Sequence, residues 1–77
     1  MTNQEIIDAL KEIKSKQAQI ERENLARDEA DALICQEFNM YECNSRRNIL
    51  ASNHTRIVSE ILLEIEQLKQ QINESIQ

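Results

Sequence analysis

The side chains best suited to catalysis or metal binding are few in this sequence: one histidine, His54, and two cysteines, Cys35 and Cys43. One chain therefore offers no histidine pair, and the cysteines are not spaced like zinc ligands. No serine or cysteine has an identifiable base partner, because His54 falls in an apolar helical stripe where it would pack or set the register. The chain also lacks glycine and hence the usual phosphate-binding loops. We expect no enzymatic activity, no cofactor and no metal site.

The oxidation state expected for the two cysteines depends on the cell compartment expected for the protein. In an unbroken helix the backbones of Cys35 and Cys43 would lie about 12 Å apart, too far for a disulfide bond. The first residues lack the basic and apolar segments of a signal peptide, and no apolar run approaches the roughly 20 residues that span a bilayer. We therefore expect a protein of the cytoplasm, either of its own cell or of a host, with free thiols and no membrane contact.

Charge is distributed unevenly along the chain, whose net charge is -5. Residues 21–42 are rich in carboxylates, and six of these form what we call the acidic belt: Glu21, Glu23, Asp28, Glu29, Asp31 and Glu37. Residues 43–59 contain no acid, and their three arginines are the candidate contacts to nucleic acid: Arg46, Arg47 and Arg56. The ordinary interpretation of both runs is a solvated helix surface.

The composition and one local motif predict helix almost throughout. Glycine and proline, the usual residues of tight turns, are both absent. Thr2 and Glu5 have the spacing of a capping box, which predicts that the first helix begins at about Asn3.

Apolar residues of the C-terminal half recur in alternating steps of three and four, the spacing of one helix face packed against another helix. The stripe consists of Ala51, His54, Val58, Ile61, Ile65, Leu68 and Ile72. Ile57, Leu62 and Ile76 widen this face beyond a two-stranded seam. We therefore predict that the second helix packs against more than one neighbour.

The N-terminal half has a similar repeat, but its middle is polar. Its apolar ends, which include Ile6, Leu10, Ile13, Ile34 and Phe38, flank a stretch that contains Gln17, Asn24, Arg27 and Asp31. Either these polar residues set the register of the pairing, or Ala26, Ala30 and Leu33 take over the contact and the polar residues lie at its rim. We favour the second interpretation.

The two apolar stripes differ in phase, and the change falls among residues that favour caps and turns. We therefore predict one all-α domain over residues 1–77, folded as an antiparallel two-helix hairpin of the coiled-coil type. Its first helix would cover about residues 3–40, its turn about 41–45, and its second helix about 46–76. Asn44 or Ser45 would cap the second helix.

A lone two-helix hairpin buries little surface, so we expect two hairpins to form a dimeric four-helix bundle. In the predicted pairing Val58 and Ile61 lie opposite Arg27 and Asn24, which are poor apolar partners. The candidate oligomer contacts are Ile57, Val58, Ile61, Leu62, Ile65, Leu68 and Ile72.

These features favour protein interaction over catalysis. The acidic belt would dock on a DNA-binding or other basic partner protein and occlude its basic surface. The chain would then be a small acidic regulatory protein, such as an inhibitor, antirepressor or adaptor of the kind found in phage and plasmid systems, an analogy from size and fold alone. A structural coiled-coil scaffold or assembly helper is the first alternative. The second is a dimeric RNA- or DNA-binding hairpin, which the net acidity disfavours.

Overall fold

The computed structural model describes residues 1–76, which form two long α-helices joined by a short connection. Helix α1 covers Asn3–Glu37 and helix α2 covers Met40–Ile76. The helices run antiparallel and contact each other, so the predicted all-α helical hairpin is confirmed. The molecule is a thin rod of 56 × 15 × 10 Å, and its long dimension is that of a single helix of this length. In the described residues, neither helix is long and apolar enough to cross a membrane.

The start of α1 is the capping box that the sequence predicts. The Thr2 hydroxyl accepts a hydrogen bond from the Glu5 backbone N–H at 3.2 Å, and the Glu5 carboxylate accepts one from the Thr2 N–H at 3.5 Å. The two groups satisfy backbone donors that a helix end otherwise leaves unpaired.

The turn lies earlier than predicted. The chain reverses at Phe38 and Asn39, so residues 41–45, where the sequence predicts the turn, are already helical. Extended backbone at Phe38 ends α1, and the side-chain oxygen of Asn39 accepts a hydrogen bond from the Glu42 N–H at 2.9 Å. Asn39 therefore caps α2, and the prediction of Asn44 or Ser45 as the cap is wrong. The change in phase between the two apolar stripes shows that the helix ends in this region. It does not show which of several possible capping residues begins the second helix.

The buried core lies in one half of the hairpin only. We call residues 3–20 and 57–76 the open half and residues 21–56 the turn half. The core cluster is entirely in the open half and consists of Ala9, Ile13, Ile61, Ile65 and Ile72. In the turn half, only Cys43 is buried.

The stripe predicted for α2 faces α1, whereas the stripe predicted for α1 is only partly correct. Leu10 is 48 % exposed, and its neighbour Ala9 is buried instead. In the middle of α1, Ala30 is half-buried as proposed, but Leu33 is 52 % exposed and does not take over the contact. Arg27 and Asp31 are half-buried, so polar side chains lie within the interface as well as at its rim.

Candidate interaction surfaces and thiol pair

A polar layer joins the helices in the turn half. The ring Nε2 of His54 lies 2.6 Å from the side-chain oxygen of Asn24. An amide oxygen only accepts hydrogen bonds, so this contact requires His54 to donate from Nε2. His54 thus fills the seam position expected for it and pairs with a residue of the polar middle of α1.

The second element of this layer is the ion pair between Arg47 and Asp31. The Nε of Arg47 is 3.6 Å from Oδ1 of Asp31, which is beyond hydrogen-bond length, so the contact is an attraction between charges. The same Asp31 oxygen is buried without a hydrogen-bond partner, and so is the Nε of Arg27. Burying such groups unpaired disfavours folding, so the layer fixes the pairing of the helices without adding much stability.

The acidic belt does not form one face of the hairpin. Glu23 and Asp31 are half-buried, while the other four members are exposed. Glu21 and Asp28 are seven residues apart and share one side of α1, whereas Glu29 is turned by about 100° from Asp28. The outward acidic surface is therefore centred on Glu21 and Asp28, with Glu29 at its edge.

The three candidate nucleic-acid contacts are also separated. Arg47 is engaged with Asp31, and the guanidinium of Arg46 lies 4.1 Å from the centre of the Phe38 ring, a cation–π contact. Arg56 is exposed and lies nine and ten residues along α2 from the other two, so it points in a third direction. The described residues give these arginines no common face.

The predicted oligomer contacts are divided between two environments. Ile61, Ile65 and Ile72 are buried against α1 within one chain, and Val58 and Leu68 are half-buried. Leu62 is 49 % exposed, and Ile57 is half-buried at the edge of the interface. Ile57 and Leu62 are therefore the members of this set best placed for a further neighbour.

Ile57 belongs to a shallow apolar groove that the sequence analysis did not identify. The groove lies between the helices on one side of the turn half. Its apolar lining consists of Ala26, Ala30, Leu50 and Ile57, and the polar side chains at its edges are Glu23, Arg27, Asn53 and His54. Leu33 lies seven residues beyond Ala26 and so extends the same face of α1. We call these five apolar residues the apolar groove. The spacing of seven could have revealed it, but the polar residues between its members obscure the pattern.

The groove ends at an ion pair in the open half. The Nζ of Lys16 donates to a carboxylate oxygen of Glu64 at 2.7 Å, and Glu12 is 3.9 Å away. The hydrogen bond to Glu64 raises the pKa of Lys16, with smaller contributions from the charges of both carboxylates. Glu64 lies seven residues after Ile57, so this pair marks where the face changes from apolar to charged.

Cys35 and Cys43 are adjacent, contrary to the separation expected for an unbroken helix. The chain reverses between them, and their Sγ atoms lie 3.0 Å apart. Both are free thiols, with Cys35 exposed and Cys43 buried. The hydrogen bond between the thiols raises the pKa of Cys43, and burial adds to the shift. In residues 1–76 no three His, Cys, Asp or Glu side chains are grouped so that they could hold a metal ion.

Comparison with known proteins adds no family to these observations. No family model, no curated protein and no solved structure matches this chain.

Proposed function

We propose that the protein is a non-enzymatic interaction module in which two hairpins pair through their apolar grooves and present acidic side chains to a basic partner protein. The observation that carries the proposal is the large surface of a single chain. Its accessible surface is 5944 Å². A compact monomer of this mass would expose about 4,900 Å². The excess of about 1,000 Å² is on the scale of the surface that each partner contributes to a standard interface.

The shape of the apolar groove supports a second copy as its occupant. Small side chains of α1, Ala26 and Ala30, lie beside the larger Leu50 and Ile57 of α2. A two-fold axis through the groove would place the large side chains of each copy against the alanines of the other. Such close helix packing gives a four-helix bundle, in keeping with the dimer expected from the sequence.

The outward acidic side chains support a basic protein as the partner of the dimer. Glu21, Asp28 and Glu29 are exposed and are not among the residues that line the groove. In a dimer they would occur twice, on a molecule whose charge is already -5 per chain. Such a surface attracts a basic protein over long distances and would cover residues that otherwise meet phosphate. The corresponding role is that of an inhibitor, antirepressor or adaptor.

The first experiment measures mass in solution as a function of concentration. The wild-type chain should have twice its 9.0 kDa mass. Leu33→Glu should be monomeric because it places a charge on the face of α1 that continues Ala26 towards the turn and would meet the second copy. Leu33 is 52 % exposed, so its replacement leaves the hairpin folded, which circular dichroism would check. Leu63→Glu is the matched control, since Leu63 is 60 % exposed and points away from α1.

Three outcomes would contradict the proposed dimer or its surface. A monomer at every concentration rules out self-association, and equal behaviour of the two glutamate variants rules out the apolar groove as the interface. Assemblies that grow beyond a dimer with concentration would favour the scaffold role instead.

The second experiment tests the acidic surface on the intact dimer. The wild-type chain is first used to retain proteins from its native cell extract. Those that salt releases are purified, and their affinity for the chain is measured. Reversing Glu21 and Asp28 to lysine should weaken binding about tenfold or more while the dimer persists. Asp31 is unsuitable for this test because it is paired with Arg47. Reversing the exposed Glu60 and Glu74 of α2 is the control. Unchanged affinity after the Glu21 and Asp28 reversals would overturn the charge-based partner.

A further inference from the structure

We propose that Cys35 and Cys43 form a reversible modification site that reacts with low-molecular-weight disulfides of the glutathione class and closes into an intramolecular disulfide across the turn. The inference does not depend on the proposed function. It rests on the placement of the two sulfurs, on the surface beside them and on the difference in their exposure.

The fold brings the two thiols together and keeps them there. Cys35 lies in the last turn of α1 and Cys43 in the first turn of α2, with only Phe38 and Asn39 between the helices. Two backbone hydrogen bonds fix the helix ends. The Cys43 N–H donates to the Asn39 carbonyl, and the Phe38 N–H donates to the Ile34 carbonyl. The sulfurs are 3.0 Å apart, so a bond of about 2.05 Å needs a shift of only about 1 Å.

The surface beside the thiols suits an anionic small disulfide. A shallow depression open to solvent is lined by both cysteines together with Phe38, Met40 and Arg47. The apolar side chains offer contact to the carbon atoms around a disulfide. The guanidinium of Arg47 is 3.6 Å from Asp31, but its side chain is 49 % exposed and also offers a charge to a carboxylate. Arg47 also acts on Cys43 directly, because its positive charge partly offsets the rise in the pKa of that thiol.

The difference in exposure sets the order of the steps. Cys35 is exposed, so its thiolate attacks one sulfur of the small disulfide, forming a mixed disulfide and releasing one small thiolate. Cys43 then loses its proton and attacks the Cys35 sulfur, which releases the second small thiolate. The two cysteine sulfurs lose two electrons, the small disulfide gains them, and the two cysteine protons end on the two released thiols.

The mixed disulfide prepares the second step. In the dithiol form, the hydrogen bond between the thiols raises the pKa of Cys43. A hydrogen bond raises the pKa of a thiol when that thiol is the donor, so Cys35 is the acceptor here, and negative charge on Cys35 adds to the shift. Once Cys35 is part of the mixed disulfide it carries no charge and is a poorer acceptor, so these contributions fall and Cys43 deprotonates more readily. Together with the 3.0 Å between the two sulfurs, this change favours the intramolecular bond over the mixed disulfide.

The test equilibrates the wild-type chain in buffers of reduced and oxidised glutathione and follows it by intact mass and thermal unfolding. The expected product is a single chain with an intramolecular disulfide, which has lost two hydrogen atoms and carries no glutathione. Because the bond links the ends of the two helices, the unfolding equilibrium constant should fall on the order of 100-fold relative to the reduced chain.

Two single variants separate the roles of the cysteines. Cys43→Ser should stop at one glutathione on Cys35, and Cys35→Ser should react far more slowly because Cys43 is buried. The proposal is overturned if the wild-type chain gives only mixed or intermolecular disulfides. It is also overturned if the disulfide forms no faster in the folded chain than in denaturant. Both measurements use the wild-type chain and so do not depend on the folding of a variant.

Discussion

In the open half of the hairpin, Ile61 and Ile65 pack against α1 with at most 5 % of their surface exposed, whereas in the turn half Arg27, Asp31 and His54 lie at the same interface. Both halves are helical and both use the same two elements, so secondary structure does not distinguish them. What differs is the chemistry of the contact. The open half removes apolar surface from water, and the turn half holds charged and amide groups close together with two polar atoms left unpaired.

This difference indicates where stability resides and where surface is left for binding. Apolar burial is the larger favourable contribution to folding, so the open half should hold the hairpin together. Apolar side chains are turned outward in both halves, for example Leu62 and Leu63 in the open half and Leu33 and Ile49 in the turn half. The acidic belt, the apolar groove and the thiol pair all lie wholly or mainly in the turn half. The region that contributes less to folding thus carries the candidate functions.

The largest effect is expected from the core of the open half. Ile65→Ala should lower the free energy of unfolding by about 2–4 kcal/mol, because Ile65 is 3 % exposed and its loss leaves a cavity. Leu63→Ala, two residues away and 60 % exposed, should change it by less than about 0.5 kcal/mol. Urea unfolding at one fixed protein concentration measures both, since self-association would add to stability. Similar losses in the two variants would show that this core is not where the structure places it.

The cap of α2 comes next and distinguishes the observed turn from the turn expected from the sequence. Asn39→Ala should lower the free energy of unfolding by about 1 kcal/mol, because the Glu42 N–H loses its side-chain acceptor. Asn44→Ala should have little effect, since Asn44 lies within α2. The opposite ranking in urea unfolding would place the turn at residues 41–45.

The same two residues show how far sequence reasoning reaches. Helix, hairpin and the stripe of α2 follow from periodicity, because repeats of three and four act over many residues and errors at single positions average out. The turn is different: Asn39, Asn44 and Ser45 are all competent caps, and tertiary contacts select among them. The distance between Cys35 and Cys43 depends on that selection. The separation of about 12 Å holds for an unbroken helix, whereas the chain reverses between the two cysteines.

The apolar groove and the polar layer were less predictable for a related reason. Arg27 and Asp31 occupy stripe positions in α1, and a stripe alone does not say whether a polar side chain lies inside the interface or at its rim. The acidic belt was defined by position in the sequence, whereas its members are distributed around the helix at 100° per residue. The structure of the two packed helices was needed to show which of these carboxylates face the other helix and which face solvent.

A third substitution would convert part of the turn half to the chemistry of the open half. Arg27→Leu should raise the free energy of unfolding by about 1 kcal/mol, because it removes a buried donor without a partner and adds apolar contact between the helices. Arg22→Leu is the matched control: Arg22 is exposed on the same helix and should give no gain. A loss of stability in the Arg27 variant would mean that this side chain stabilises the layer rather than weakening it.

The smallest effect concerns the Lys16 ion pair at the boundary between the groove and the open half. Glu64 raises the pKa of Lys16 above 10.5, so the pair contributes its full stability below that pH. That contribution is lost as the pH rises through the raised value, because the folded chain then releases the proton that it holds more tightly than the unfolded chain. The urea midpoint of the wild type should therefore fall towards that of Lys16→Met above pH 10.5. Solvent screening keeps the difference small, and added salt should reduce it further. A difference between the two midpoints that stays constant at every pH would mean that Lys16 acts through the packing of its alkyl chain against the helices. The apolar contact of the open half would then extend to this boundary.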